Sequence, residues 1–185
     1  MKTQYYTAAS INGYLADEHN SLDWLFQFGE IESMKNSYPQ FIKNVGAIAM
    51  GSTTYEWVVE HENLLEFPKK WPYNIPTWVF SSRDLPVIDG ANIHFVQGDV
   101  APIHAEMARA AGGRNVWLAG GGDLVGQFHD HGLLDEIILS VVPVMLSSGA
   151  PLLPRNITTP PLKLTDIQKH GDVFAVLTYE VQKRV

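Results

Sequence analysis

Cysteine is missing from this 185-residue chain. Disulfide scaffolds, thiolate nucleophiles and Cys-ligated zinc are therefore excluded. Basic residues are scarce: 13 Lys and Arg stand against 20 Asp and Glu, for a net charge of -7. The longest basic runs are Lys69–Lys70 and Lys183–Arg184, so no cationic face for a nucleic acid is expected. Long apolar runs are missing too. Ile137 to Leu146 is interrupted by Ser140 and Pro143 and falls well short of the ~20 residues of a membrane span. Lys2, Thr3, Gln4 and Thr7 break up the opening segment where an export signal needs an unbroken apolar core. The expectation is a cytoplasmic protein with neither membrane nor nucleic-acid partners.

Catalytic signatures of other classes are equally thin. His129 and His131 lie two apart at a helix end and so point to different faces, and no metal is expected. Ser10, Ser140 and Ser147 lack the G-x-S-x-G setting of a hydrolase nucleophile. Trp57, Trp71 and Trp78 read as core or cleft walls, because a stacking platform for nucleic acid conflicts with the acidic charge.

What is present is ordinary globular composition, 45% hydrophobic and 18% charged, with length for one domain spanning residues 1–185. Folding at this size buries roughly 70% of the unfolded chain's surface, enough for a core without staples. Strand and helix patterns alternate. Strands are expected at Lys2–Ala9, Ala47–Met50, Thr77–Phe80, Ile93–Val96, Val116–Ala119 and Glu136–Val142. Helices are expected at Ser33–Asn44, with Pro39 near its start, and at Ser52–Val59, capped by Ser52 or Thr53. Two more are expected at Pro102–Ala111 and Asp123–His131, and a hairpin turns at His170-Gly171-Asp172 between Leu162–Gln168 and Val173–Val181. Short apolar strands alternating with helices imply an α/β class: three layers around a mixed, mostly parallel sheet of about eight strands.

Three strand-to-helix junctions suit an anion. Val116-Trp-Leu-Ala119 leads into Gly120-Gly121-Gly122 and then Asp123 and Leu124 at a helix start. Glycine there lets a ligand approach the backbone, where unpaired N–H groups and the positive helix end await it. Gly51 is followed by three hydroxyls, Ser52, Thr53 and Thr54, more than one helix cap needs. Ser81, Ser82 and Arg83 follow the Thr77–Phe80 strand, and guanidinium pairs with phosphate bidentately. A packing turn, a cap, or an Arg83–Asp84 pair is the bland reading of each. Their recurrence at strand C-termini, which line one edge of an open α/β sheet, favours ligand binding.

In order, these motifs resemble the dihydrofolate reductase-like superfamily, in the branch of the riboflavin-biosynthesis reductase domain and its short stand-alone relatives. Ala9-Ser-Ile-Asn-Gly-Tyr-Leu-Ala16 resembles S-[LI]-D-G-x-[IL]-A, and Leu22-Asp-Trp-Leu25 resembles the D-W-L element that follows it. Gly51–Glu56 is similar to G-R-x-T-Y-E. Asp135-Glu136-Ile137 and Pro143–Leu152 resemble D-E-[LI] and P-V-L-L-G-x-G-x-P-L. The likeness spans nearly the whole chain. It departs in two places: Ser52 stands where the family has Arg, and Asn12 where it has Asp.

The resemblance implies an NADPH-dependent reductase acting on a small heterocycle, pterin- or pyrimidine-like. It implies that Gly51, Ser52, Thr53 and Thr54, with Gly120, Gly121, Gly122, Asp123 and Leu124, hold the cofactor diphosphate. Ser81, Ser82 and Arg83 would receive the 2′-phosphate. The substrate would meet the Asn12–Phe28 loop, with Trp24, Phe28 and Tyr55 as contacts and Asn12, Asp17 or Asp23 as the catalytic polar group. A cis Gly120–Gly121 peptide bond and a homodimer are implied as well, the dimer through an apolar edge at Glu136–Pro143 and the C-terminal hairpin. Two alternatives stay open: a 5-amino-6-(5-phosphoribosylamino)uracil reductase, and a non-catalytic nucleotide- or drug-binding module on the same fold.

Overall fold

The computed structural model describes residues 1–29 and 32–183, so Arg184 of the second basic run lies outside the described residues. Among the described residues ten strands and five α-helices follow one another: β1 Thr3–Ser10, β2 Tyr14–Ala16, α1 Asp23–Phe26, α2 Ser37–Lys43, β3 Val45–Gly51 and α3 Ser52–His61. They continue as β4 Thr77–Phe80, β5 Ile93–Val96, α4 Val100–Ala110, β6 Asn115–Gly120, α5 Gly122–Asp130 and β7 Glu136–Val142, then β8 Ala150–Pro151, β9 Lys163–His170 and β10 Phe174–Glu180. Eight strands form one sheet in the order β5-β4-β3-β6-β1-β7-β10-β9. The first six are mutually parallel; β10 runs antiparallel to β7, and β9 antiparallel to β10. This is the dihydrofolate reductase-like α/β/α arrangement that the motifs implied.

Burial explains the choice of strands. β3 and β6 sit centrally with helices on both faces, and Val45 to Met50 are buried without interruption, as a doubly covered parallel strand requires. On one face Tyr5, Leu118 and Ile137 pack with Met107 of α4 and Val125 and Phe128 of α5. On the other, Ile48, Met50, Val79 and Trp117 pack with Tyr55, Val58 and Val59 of α3. A third cluster, Trp24, Val142 and Phe174, ties the β2–α2 segment to the β7 end of the sheet.

Local chemistry moved several boundaries. The helix expected over Ser33–Asn44 is broken, with a 3-10 turn at Glu32–Met34 and α2 only from Ser37. Pro39 is tolerated because it stands in the first turn of α2, where its missing N–H has no intrahelical partner to lose. α4 starts two residues before Pro102, because Asp99 caps it by accepting from the Ala101 N–H at 2.7 Å. The Glu136–Pro143 segment is not an edge. As β7 it lies between β1 and β10, with Ile137 and Val142 buried. The two edges of the eight-stranded sheet are β5, where Phe95 is exposed, and β9, where Leu164 and Ile167 are exposed. Among the described residues no helix is long and apolar enough to cross a membrane.

Candidate active site

The C-terminal ends of the six parallel strands share one edge of the sheet, where ligands bind in open α/β folds. β3 and β6 are neighbours there, with Met50 opposite Gly120. A Cβ added to Gly51 would lie 3.7 Å from the Gly121 nitrogen, so the two glycine junctions touch. Each junction starts a helix. Gly51 is the N-cap of α3 and Gly121 of α5, and neither helix has a side-chain cap. Ser52 and Thr53 are therefore not the cap that the sequence suggested: extended Gly51 precedes the helix and Ser52 is already its first residue. Two sets of first-turn N–H groups, with two positive helix ends, converge at one place.

The glycines are matched to this approach. Gly120 has φ +145°, and a Cβ on it would come 3.2 Å from Thr54 Oγ1. At Gly122 a Cβ would sit 2.3 Å from the Pro151 carbonyl oxygen, so the start of α5 can approach β8 only without a side chain. At Gly121 a Cβ would meet nothing within 4 Å. That residue faces open space. The Gly120–Gly121 peptide bond is cis.

A cavity of about 380 Å³ opens against these junctions. Its walls are Thr7 and Ala8 of β1, Thr53, Thr54 and Trp57 of α3, and Leu22 and Leu25 around α1, with Gly120 to Asp123 along one side. A larger groove of about 710 Å³ runs past His129, Arg155 and Lys183, at the far end of α5. Its cations are already engaged. Arg155 pairs with Asp130 at 2.7 Å and Asp123 at 3.1 Å, which also lowers the Asp130 carboxyl below its ordinary value. Lys183 donates to the carbonyls of Gly132 and Leu134. The smaller cavity lies at the helix starts.

The third junction lies beside the first two, Gly51 pairing with Phe80 at the end of β4. Ser81 Oγ accepts from the Arg83 N–H and donates to its carbonyl, each at 2.9 Å, folding the turn back on itself. Ser82 is exposed. The Arg83 guanidinium is held not by Asp84 but by Glu56, one turn into α3, bidentately at 3.0 and 2.7 Å. Its Nη2 also donates to Ser52 Oγ at 3.2 Å.

Most of the residues expected to serve catalysis and substrate contact are engaged in holding the fold. Asn12 donates from Nδ2 to the Leu146 carbonyl at 2.6 Å and accepts the Leu146 N–H on Oδ1 at 3.1 Å, pinning the β1–β2 turn to the segment after β7. An aspartate could not make the first of these bonds. Asp17 Oδ1 accepts the N–H groups of His19 and Ser21 at 2.8 and 2.9 Å, closing its own loop. Asp23 is exposed at the start of α1 and does not line the cavity. Trp24 is buried against Val142 and Phe174, and Phe28 meets the Phe174 ring edge-on at 5.6 Å. Tyr55 is fully buried; its hydroxyl donates to the Pro86 carbonyl at 2.6 Å, and burial pushes its pKa up to about 12. Trp57 does form a cleft wall. Leu22 and Leu25 line it as well; they flank the Asp23-Trp24 pair, but the motif itself does not mark them as wall residues. Thr53, Thr54 and Trp57 share one helical face at i, i+1 and i+4, a spacing that distinguishes Trp57 from Tyr55 on the core face.

Asp123 is the one ionisable side chain among the described residues lining the cavity. Its carboxylate accepts from Arg155 and Gln127, both at 3.1 Å, which leaves its backbone N–H at the helix start. Leu124 turns its side chain into the core and offers only its N–H there.

A sheet of this topology with paired glycine junctions at its C-terminal edge defines a reductase-type fold of the dihydrofolate reductase kind. Dihydrofolate reductase from Enterococcus faecalis, solved with NADP(H), superposes with a TM-score of 0.62 over 98% of this chain and 97% of its own, at 11% identity. A protein from Shewanella sp. PV-4, provisionally assigned to riboflavin biosynthesis, superposes with a TM-score of 0.80 at 25% identity, covering 99% of this chain and 100% of that one. The family model of the RibD C-terminal domain matches residues 2–176, and the chain belongs to that family. YwjB of Bacillus subtilis, itself uncharacterized, is 31% identical over 171 residues, 92% of either chain.

Proposed function

We propose that this protein is an NADPH-dependent reductase that passes a hydride to a small ring compound bound in the cavity beside Trp57. The observation that carries the reading is the convergence of two uncapped helix starts beside a cavity at the C-terminal edge of the sheet. The residues fit a dinucleotide. The α3 and α5 N–H groups would hold its diphosphate, Gly121 leaves open space for it, and Arg83 stands at the adjoining turn for a 2′-phosphate. When bound, the reduced nicotinamide supplies the hydride, two electrons and one hydrogen nucleus together, while the acceptor takes one further proton. The chain's own contribution is positional: it holds two partners against each other and excludes water with Leu22, Leu25 and Trp57.

The test uses NADPH deuterated at the transferable position with a panel of pterins, pyrimidines and other ring carbonyls. Deuterium in a reduced product supports the reading. Tight NADPH binding with no product from any acceptor would favour the non-catalytic binder, for which the exposed Glu56–Arg83 pair and Ser52 speak. We further propose a cytoplasmic homodimer. Exposed Leu164 and Ile167 on the open β9 edge support the dimer.

A further inference from the structure

We infer that the cavity takes an uncharged, planar, conjugated ring carbonyl compound and rejects a phosphorylated one. This rests on the reductase reading and specifies its acceptor. The wall is built from Leu15, Leu22, Leu25, Trp57 and Ala119, with Asn20, the threonines and the backbone as its neutral polar groups. No Lys, Arg or His is among the described residues that line it. Arg83 is engaged by Glu56 at the turn after β4, and Arg155 by Asp123 and Asp130. The helix-start N–H groups are the places for the dinucleotide's own phosphates. A phosphate on the acceptor would therefore be stripped of water with no cation to replace it, a cost of several kcal/mol for a charged group.

Proton supply points the same way. Asp123 is the lining residue that can ionise, and it accepts hydrogen bonds from Arg155 and Gln127. Both of its oxygens are taken up as acceptors, one by each partner, so neither is turned to an acceptor ring. A basic imine, which must be protonated before it accepts a hydride, finds no acid in this wall. A conjugated ring carbonyl needs none: carbon takes the hydride, the charge spreads onto oxygen, and oxygen takes a proton from water. The two electrons come from the reduced nicotinamide, which ends oxidised. Trp57, its ring stacked on His61 at 4.4 Å, gives the wall an aromatic surface for such a ring to meet.

The test compares three compounds: 2-methyl-1,4-naphthoquinone, 5-amino-6-(5-phosphoribosylamino)uracil, and the same pyrimidine without its phosphate. Binding is read as saturable quenching of tryptophan fluorescence, with Trp57→Phe identifying the responding residue. Turnover is read as NADPH consumption. The naphthoquinone is expected to bind and to be reduced. The phosphorylated pyrimidine is expected to bind at least about a hundredfold more weakly than its unphosphorylated form, the factor that roughly 2.7 kcal/mol of uncompensated desolvation produces. Thr53→Lys adds a cation at an exposed wall position and is expected to recover about tenfold of that loss. Equal or better use of the phosphorylated compound would overturn the inference and leave the reductase reading standing. Saturable quenching at Trp57 without NADPH consumption would sink the reductase reading and leave the cavity's selectivity in place. No saturable binding of either neutral ring would also overturn the inference.

Discussion

Replacing Glu56 with glutamine should tighten NADPH binding and leave NADH alone. In the structure Arg83 is bidentate to Glu56, with 57% and 40% of the two side chains exposed. A 2′-phosphate arriving at this turn must displace that carboxylate. An exposed ion pair contributes about 0.2–1 kcal/mol, whereas a charge-assisted phosphate contact contributes about 1.5–3 kcal/mol. The difference, about 0.5–2.8 kcal/mol, is the basis for an expected wild-type preference for NADPH of about twofold to a hundredfold. Glu56→Gln removes the competitor and so gains at most about 1 kcal/mol, or fivefold. Calorimetric Kd values for both dinucleotides, in wild type, Glu56→Gln, Arg83→Ala and the double variant, decide the matter. Arg83→Ala should abolish the preference, and Glu56→Gln should then add nothing, because the two act through one contact. A gain for NADH as large as that for NADPH would refute the reasoning, as would a Glu56→Gln gain that survives the loss of Arg83.

The two glycines at the start of α5 should separate binding from folding. Gly121→Val enters open space and should abolish NADPH binding with little change in Tm, while Gly122→Ala meets the Pro151 carbonyl at 2.3 Å and should lower Tm sharply. Asn12→Asp loses the donor to the Leu146 carbonyl and should cost about 0.5–1.5 kcal/mol in urea unfolding, with no change in the pH profile of turnover if Asn12 is structural. His104, whose Nε2 lies 2.7 Å from Thr3 Oγ1, has its pKa lowered by burial. Its contribution is complete above the unfolded value of about 6.5 and is lost as pH falls through the lower folded value, so His104→Gln should flatten Tm between pH 7.5 and 5. Light scattering should return a dimer, and the mass of one chain at micromolar concentration would contradict that proposal.

Strands declared themselves where burial is two-sided. Val45–Gly51 and Asn115–Gly120 are apolar without alternation, and that signal survives any detail of packing. β2 and β8 did not, because three and two residues carry no period; they exist through pairing across more than a hundred residues of chain. The same distance hid Asn12. Its partner is Leu146, and nothing near residue 12 says that an amide rather than a carboxylate is wanted there. The anion motifs were legible as glycine and hydroxyl clusters. Which neighbour would hold Arg83 was not, because Glu56 reaches it only once β4 lies beside β3. Trp24 and Tyr55 stand inside the segments that carry the family resemblance, which mark position but not burial; tertiary packing turned both into the core and left the wall to Trp57 and three leucines.

A crystal structure of the protein grown with NADP+ tests whether the two helix starts hold a dinucleotide whose reactive end reaches the cavity. The diphosphate is expected against the N–H groups that begin α3 and α5, the 2′-phosphate at Arg83, and the nicotinamide ring between Ala8, Thr54 and Gly121. A dinucleotide lying instead in the groove of His129, Arg155 and Lys183, or absent at saturating concentration, would contradict the account.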